Sequence, residues 1–351
     1  MPIPTRATAL PESAAQLNFS HTVAREVIHR RHLTEVFLTD VLQVDVQSFV
    51  AAALLPPAHP HYTGRTHAAG IPDPMLLLEC CRQAETFAAH AFFGVETGAG
   101  FILRSWSLEV SPEAFAAVPS GSHQLFMTAV AERRGPAAAR AHGMVYEFRL
   151  WLADTQVGQV RMDVGYLAKD AYASVRSRRR GHPPAMSDEQ PTAGAGQPVD
   201  PARVGRTRAM DALLRDVGVA RGALTATLRL ATDNPSYFDH PQDHVPGMVL
   251  TEAACQMAVL ALEEWDGIAP RLGGIVAVES SFLAFAELDE PVVLTAARPS
   301  DGGDRDVASD GRECHRAVEV TFHQRGAEIA RTKVVMATSF RARPTSPGCL
   351  G

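Results

Sequence analysis

Five polar side chains lie along one line of a largely apolar segment. Glu79, Arg82, Gln83, Thr86 and His90 recur at i, i+3, i+4, i+7 and i+11, the spacing of one helical face. A buried helix with a single polar stripe must satisfy those groups somewhere. One reading is a solvent-facing stripe or a structural Glu79–Arg82 pair. The other is a site in which a carboxylate, its pKa raised by burial, acts as a general base. Glu252 and Gln256 repeat the Glu–Gln spacing later in the chain, which favours the second. The loops ahead of these segments hold His59, His61 and His67, then Asp239, His240, Asp243 and His244, residue types that exchange protons or bind metals. The His240, Asp243, His244 spacing looks ligand-like. Pro241 and Pro246 argue against a regular helix aiming them together, so no metal site is expected.

The elements that must position these residues occur twice. Arg30 matches Arg206, and Leu38 and Asp40 match Leu214 and Asp216, all at an offset of 176. HPHY (His59 to Tyr62) matches NPSY (Asn234 to Tyr237) at 175. PMLLLECCRQA matches GMVLTEAACQM at 173, pairing Glu79 with Glu252 and Gln83 with Gln256. His67 and His240 each precede their glutamate by 12 residues. The same order with so little drift defines a tandem repeat. Its expected parts are an N-terminal extension (1–24), repeat one (25–171), a linker (172–202), repeat two (203–342) and a tail (343–351).

Each repeat reads as a strand, a Pro/His-rich loop, one long apolar helix and then several strands. The first helix is expected from Pro74 to about Phe93, with Asp73 as N-cap, Pro74 in the first turn and Gly94 as the stop. The second is VPGMVLTEAACQMAVLALEEW. A long helix before an antiparallel meander suggests a sheet wrapped around a buried helix. Two such sheets can pair edge to edge, which protects two strand edges. The linker, with its basic run at Arg176 to Arg180 and the Pro/Gly-rich stretch after it, reads as exposed. At the helix starts, unpaired N–H groups suit a polarised carbonyl oxygen or a phosphate.

Composition sets the outer bounds. The chain has 351 residues, 46% hydrophobic and 21% charged, with a formal net charge of −6. That is a globular balance and argues against a dedicated nucleic-acid binder. No apolar run reaches a membrane span and no signal peptide is visible, so a cytoplasmic protein is expected. Five cysteines without CxxC spacing read as reduced thiols.

The stretch DHPQDHVPGMVLTEAACQ (Asp239 to Gln256) resembles the loop-and-helix motif of hotdog-fold hydroxyacyl carrier-protein dehydratases. With EVFLTD (Glu35 to Asp40) and DPMLLLECCRQAETFAAH (Asp73 to His90), the whole pattern is closer to the A-factor (γ-butyrolactone) biosynthesis family, over roughly 25–170 and 203–342. The resemblance implies an α+β tandem hotdog fold, with two antiparallel sheets each wrapped around a central helix. It implies an acyltransferase that moves a β-ketoacyl group from an acyl carrier protein thioester to dihydroxyacetone phosphate, towards γ-butyrolactone, butenolide or furan signals. No cofactor is implied, and neither nucleic acid nor membrane is an expected partner; a homo-oligomer stays open.

On that reading Glu79 and Glu252 are candidate bases, with His67 and His240 as catalytic partners from the opposite repeat. Arg82 is the candidate phosphate ligand. Gln83, Gln256, Asp243 and His244 are candidate substrate contacts. Cys255 departs from the family, whose second helix carries arginine there. It is either a nucleophile at a helix start or a small core thiol. A dehydratase or thioesterase on the same fold, and a non-catalytic acyl- or lactone-binding protein, are the alternatives.

Overall fold

The computed structural model describes residues 9–66, 71–134, 143–190, 196–220, 222–297 and 313–339. Repeat one comprises β1 (Leu38–Gln43), β2 (Ser48–Leu54), α1 (Pro74–Ala91), β3 (Gly100–Val110), the short α2 (Pro112–Ala117), β4 (Gln124–Arg133), β5 (Gly143–Leu152) and β6 (Thr155–Leu167). Helix α3 (Lys169–Arg180) joins it to repeat two. There follow β7 (Leu214–Ala220), β8 (Ala223–Leu228), α4 (Gly247–Asp266), β9 (Gly273–Phe282), β10 (Val293–Ala297), β11 (Glu313–Gln324) and β12 (Ala327–Ser339).

All twelve strands form one sheet in the order β1-β2-β4-β5-β6-β3-β9-β12-β11-β10-β8-β7. Swapping each strand for its repeat equivalent reverses this order, so the halves are related by a pseudo-twofold axis at the seam. There β3 and β9 pair antiparallel, from Ser105↔Ser281 to Glu109↔Ala277. Pairing the inner edges satisfies two rows of backbone groups that would otherwise be open. Trp106 of β3 crosses the seam and donates its ring N–H to the Thr251 hydroxyl of α4 at 3.0 Å.

The helices fill the sheet. Every residue of α4 from Val249 to Leu262 is buried, as expected of a helix apolar all round. The Asp73 carboxylate caps α1 by accepting from the Met75 N–H at 3.0 Å, and Pro74 supplies a preset φ where no donor is needed. Within α1, Arg82, Phe87 and His90 remain half-buried, and that opening is where the chemistry-bearing residues gather.

The architecture departs from the sequence reading in two places. The first segment of each repeat is a hairpin, β1–β2 and β7–β8, rather than one strand. The linker is not freely exposed. Its first part is α3, whose Arg176 is buried and donates to Asp243 at 3.0 Å and Glu287 at 2.8 Å, while Arg180 reaches Glu287 and Asp289. Arg176 also lies 4.3 Å over the Phe285 ring. The partners come from repeat two, far along the chain, so local composition gave no sign of them. Among the described residues, no helix is long and apolar enough to cross a membrane.

Candidate active site

Two polar clusters sit at the pseudo-symmetric positions, and they differ. The first is centred on Glu79. Its Oε1 accepts from Arg30 Nε at 3.1 Å and from Arg82 Nη2 at 2.8 Å, its Oε2 accepts from Arg82 Nε at 2.7 Å, and Arg30 Nη2 adds a second contact. Arg30 enters from the turn Arg25–Ile28. The neighbouring backbone reaches across the repeat boundary, where the N–H groups of Arg31 and His32 donate to Asp239 at 2.6 and 3.0 Å. His240 is next in the chain and meets Asp239 through Nδ1 at 3.3 Å. The Glu79 cluster and the His240 loop are thus joined by one three-residue segment, Arg30 to His32.

The second cluster is centred on Glu252. Arg206, the repeat equivalent of Arg30, donates Nε to it at 2.8 Å. Cys255 occupies the helical position of Arg82, and the missing guanidinium is replaced by Arg65 from the loop of repeat one, which contacts Glu252 directly. Both arginines also bind Asp73, at 3.0 and 3.1 Å. Two cations therefore face two carboxylates, Glu252 and Asp73. In the first cluster Arg30 and Arg82 both bond Glu79, and the second carboxylate, Asp239, acts on Arg30 without bonding its side chain.

Exposure separates the clusters further. The Arg30 and Arg82 side chains are 10% and 22% exposed and His240 is 36% exposed; Arg65 and Arg206 are 2% and 0% exposed. The helix starts differ in the same sense. At α1 the Asp73 carboxylate already occupies the N-terminus. At α4 the N-cap is Pro246, which has no side-chain acceptor, and the first helical N–H to bond back is that of Val249, to Pro246 O at 2.9 Å. Beside that uncapped start lies an apolar slot of about 110 Å³ lined by Phe101, Leu103, Gly247, Leu250 and Phe282, among others. A Cβ on Gly247 would stand 2.8 Å from Leu103 Cδ2 and 3.2 Å from Phe282 Cζ, so a side chain there would crowd two residues that line the slot.

The charges explain what each predicted residue can do. Burial alone would raise Glu79, as the sequence reading expected; Arg30 and Arg82 outweigh it and hold the carboxyl at about 2. Glu252 is lowered in the same way by Arg206 and Arg65. Both are fixed anions that orient guanidinium groups rather than proton acceptors with raised affinity. Burial pushes the Cys255 thiol well up, which removes the nucleophile reading and leaves a core thiol.

Gln83 and Gln256 are fully buried, and Gln83 makes all four of its hydrogen bonds while Gln256 makes three. Gln83 Oε1 accepts from the Phe37 and Leu38 N–H groups, and its Nε2 donates to Glu35 O and Glu79. Gln256 binds Leu213 N, Asp211 O and Glu252. Fully buried and bonded on both ends of the amide, each pins the start of its repeat's first strand to the helix instead of facing substrate. Asp243 is likewise engaged, with Tyr172, Arg176 and His244. His244 lines the slot. His67 lies outside the described residues.

Several residues in the clusters had no role assigned from sequence. The Arg30–Arg206 match across the repeats was the available signal for that pair. Arg65 and Asp73 gave none beyond Asp73 as a cap, because the charge network they close spans both repeats.

A pair of central helices wrapped by one continuous antiparallel sheet defines a tandem hotdog protein with an arginine-bearing half-site beside an apolar slot. The chain belongs to the A-factor biosynthesis hotdog domain family, which it matches over residues 12–164 and 187–339. It is 34% identical over 296 residues, 83% of this chain and 93% of the relative, to a 2-oxo-3-(phosphooxy)propyl 3-oxoalkanoate synthase of Streptomyces virginiae. A protein of the same name from Streptomyces griseus subsp. griseus is 29% identical over 92% of this chain and 94% of its own length. Among solved structures, an acyl-ACP thioesterase from Bacteroides thetaiotaomicron aligns with a TM-score of 0.43 at 13% identity, over 82% of this chain and 97% of that one.

Proposed function

We propose that this chain is a synthase of the kind its relatives are named for, and that the Glu79 half-site is where it works. The name describes an ester of a 3-oxoalkanoic acid with dihydroxyacetone phosphate. The reaction is acyl transfer: the acceptor hydroxyl attacks the carbonyl of a 3-oxoacyl thioester, and the thiol departs. The donor is an acyl carrier protein thioester, and the product leads towards γ-butyrolactone-type signals.

One observation carries the choice of half-site. Only the Glu79 cluster, among the described residues, combines arginines with solvent access, an apolar slot and an uncapped helix start. Arg82 and Arg30 receive the phosphate through the guanidinium N–H groups that their bonds to Glu79 leave over. The acyl chain enters the slot. The Gly247 and Met248 N–H groups at the start of α4 face the developing oxyanion, where fixed dipoles act in a site with little water. His240, oriented by Asp239, exchanges protons at the rim. The Glu252 cluster already holds its own anion, Asp73, where a substrate anion would sit, so it serves as structure.

The test is mass spectrometry of the purified protein with a 3-oxoacyl carrier-protein thioester, with and without dihydroxyacetone phosphate. A phosphorylated ester, or its cyclised product, formed only with the acceptor is the expected result. Free acid or an alkenoyl product regardless of acceptor makes the protein a thioesterase or dehydratase. An unchanged thioester makes it a binding protein.

A further inference from the structure

Next to the arginine pair lies a histidine pair that the sequence reading left without a task. His29 and His90 meet through their Nε2 atoms at 2.9 Å, and His90 Nδ1 lies 2.8 Å from the Val95 carbonyl. A carbonyl only accepts, so His90 Nδ1 carries its proton and His90 Nε2 presents a lone pair. The contact between the rings then requires the proton on His29 Nε2. The other nitrogen of His29, Nδ1, is left as a lone pair, and no described residue hydrogen-bonds it.

From this network we propose that His29 is the general base that takes the proton of the acceptor hydroxyl, with His90 as the positioning residue that fixes its tautomer. The inference rests on the acyl-transfer reading above. Three further observations place the pair at the reaction. Both rings pack against Phe101, with centroids 5.0 and 5.4 Å away, and Phe101 lines the acyl slot. His29 immediately precedes Arg30. Its backbone is left-handed, at φ 54° and ψ 48°, a conformation that a histidine adopts at a cost and that concentrates at functional sites.

Burial first, then Arg82 and His90 on α1, His240 from the loop before α4 and Arg30 from its own segment hold the His29 imidazole neutral, down to about 4; the nearby carboxylates, Glu79 and Asp239, are engaged with those arginines and with His240. A phosphate bound to Arg82 and Arg30 offsets those charges and raises the proton affinity of His29 only when acceptor is present. The hydroxyl proton then passes to Nδ1 as the oxygen bonds to the thioester carbonyl carbon. When the tetrahedral intermediate collapses, the C–S bond breaks and the imidazolium returns the proton to the departing thiolate. Ester and free thiol are the only products, and no other reactant is needed.

The experiment compares wild type, His29→Asn, His29→Gly and His90→Phe in ester formation across pH, with calorimetric binding of inorganic phosphate. Asn and Gly both tolerate the left-handed backbone. The expected result for His29→Asn is a fall in kcat of about 100-fold or more, with the KM for dihydroxyacetone phosphate and the phosphate affinity within about threefold. Its kcat profile loses the acidic limb, since protonating His29 is what switches wild type off as pH falls. Free imidazole restores part of the rate of His29→Gly, and His90→Phe lowers kcat about tenfold while moving the acidic limb. Either a His29→Asn kcat within about threefold of wild type or a loss confined to KM overturns the inference. If a His29 variant melts far below wild type, His90→Phe decides: an unmoved limb overturns the pairing. A wild type that makes no ester defeats the acyl-transfer reading itself, which is a distinct outcome.

Discussion

Single side chains in this protein act mainly by holding other charges in place. Glu79 does not gain proton affinity from burial, because two guanidinium groups within hydrogen-bond distance favour its anion more than burial disfavours it. Nearly two turns further along α1, Glu85 shows the opposite balance. It is buried with no cation bonded to it, accepting from the Tyr166 hydroxyl at 2.7 Å and Thr86 at 3.1 Å, and burial lifts its pKa to about 7. The folded state therefore holds the Glu85 proton more tightly than the unfolded chain does. That contribution is fully present below about pH 4.5 and is lost as pH rises to about 7, on the order of 3 kcal/mol across the window. Glu85→Gln should abolish it. Chemical denaturation of both proteins from pH 4.5 to 8 tests this: the difference between the two stability curves should change across that window and level off above it. A pH-independent difference would mean that Glu85 is ionised throughout. Arg82→Ala belongs to the same scale. It removes a charged phosphate donor from a partly wet site, so the KM for dihydroxyacetone phosphate should rise about 30-fold or more, equivalent to about 2 kcal/mol. An unchanged KM would remove Arg82 from the acceptor site.

The elements show how such residues reach one another. Helix α3 is held by side chains rather than by an apolar face. Arg176 joins Asp243 and Glu287, and Arg180 adds Glu287 and Asp289, so one turn of helix fastens the loop before α4 to the strand-end segment beyond β9. Replacing Arg176 by Met keeps much of the stem packed on Phe285 and leaves both carboxylates short of a partner. The expected cost is about 2 kcal/mol, below that of a fully buried pair because the carboxylates retain some solvent. Proteolytic cutting in 183–190 should rise in parallel. Unaltered cutting together with unaltered stability would show that α3 is not fastened by these contacts. This helix also marks where the sequence was hard to read. A run of arginines resembles a solvated segment, and its partners lie 67 to 111 residues away. The hairpin strand β2, SFVAAAL, was missed for another reason: alanines carry little strand preference, and its burial depends on α1 and the N-terminal segment. By contrast α1 was legible to within two residues, because cap, proline and apolar run agree locally. The glutamines were legible as a repeated pair, but their bonding to strand N–H groups depends on tertiary structure.

At the scale of the whole molecule, duplication has produced two similar half-sites with different work. The seam between β3 and β9 and the contact of α1 with α4 make the halves one body, so each cluster draws on both repeats. At Glu79 the opposite repeat supplies Asp239 and His240, and the two guanidinium groups stay within reach of solvent. At Glu252 the opposite repeat supplies Arg65 and Asp73 and closes the account. Neutralising the two glutamates should therefore have opposite consequences. Glu252→Gln leaves Arg65 and Arg206 buried with Asp73 alone, an uncompensated charge out of reach of water that should cost about 3–5 kcal/mol. Glu79→Gln also breaks a buried pair with Arg30, but Arg82 is more open to water, so its cost in stability should be smaller, about 2 kcal/mol, while the arginines lose the anion that aims them at the acceptor. Measured well below the melting transition, kcat/KM should fall about 100-fold or more in Glu79→Gln, equivalent to about 3 kcal/mol of transition-state stabilisation, and stay within a few-fold of wild type in Glu252→Gln. Melting temperatures should rank the other way, with Glu252→Gln the lower. If Glu252→Gln were instead the inactive and stable variant, chemistry would belong to the sealed cluster, and Arg65 would have to move to admit a substrate.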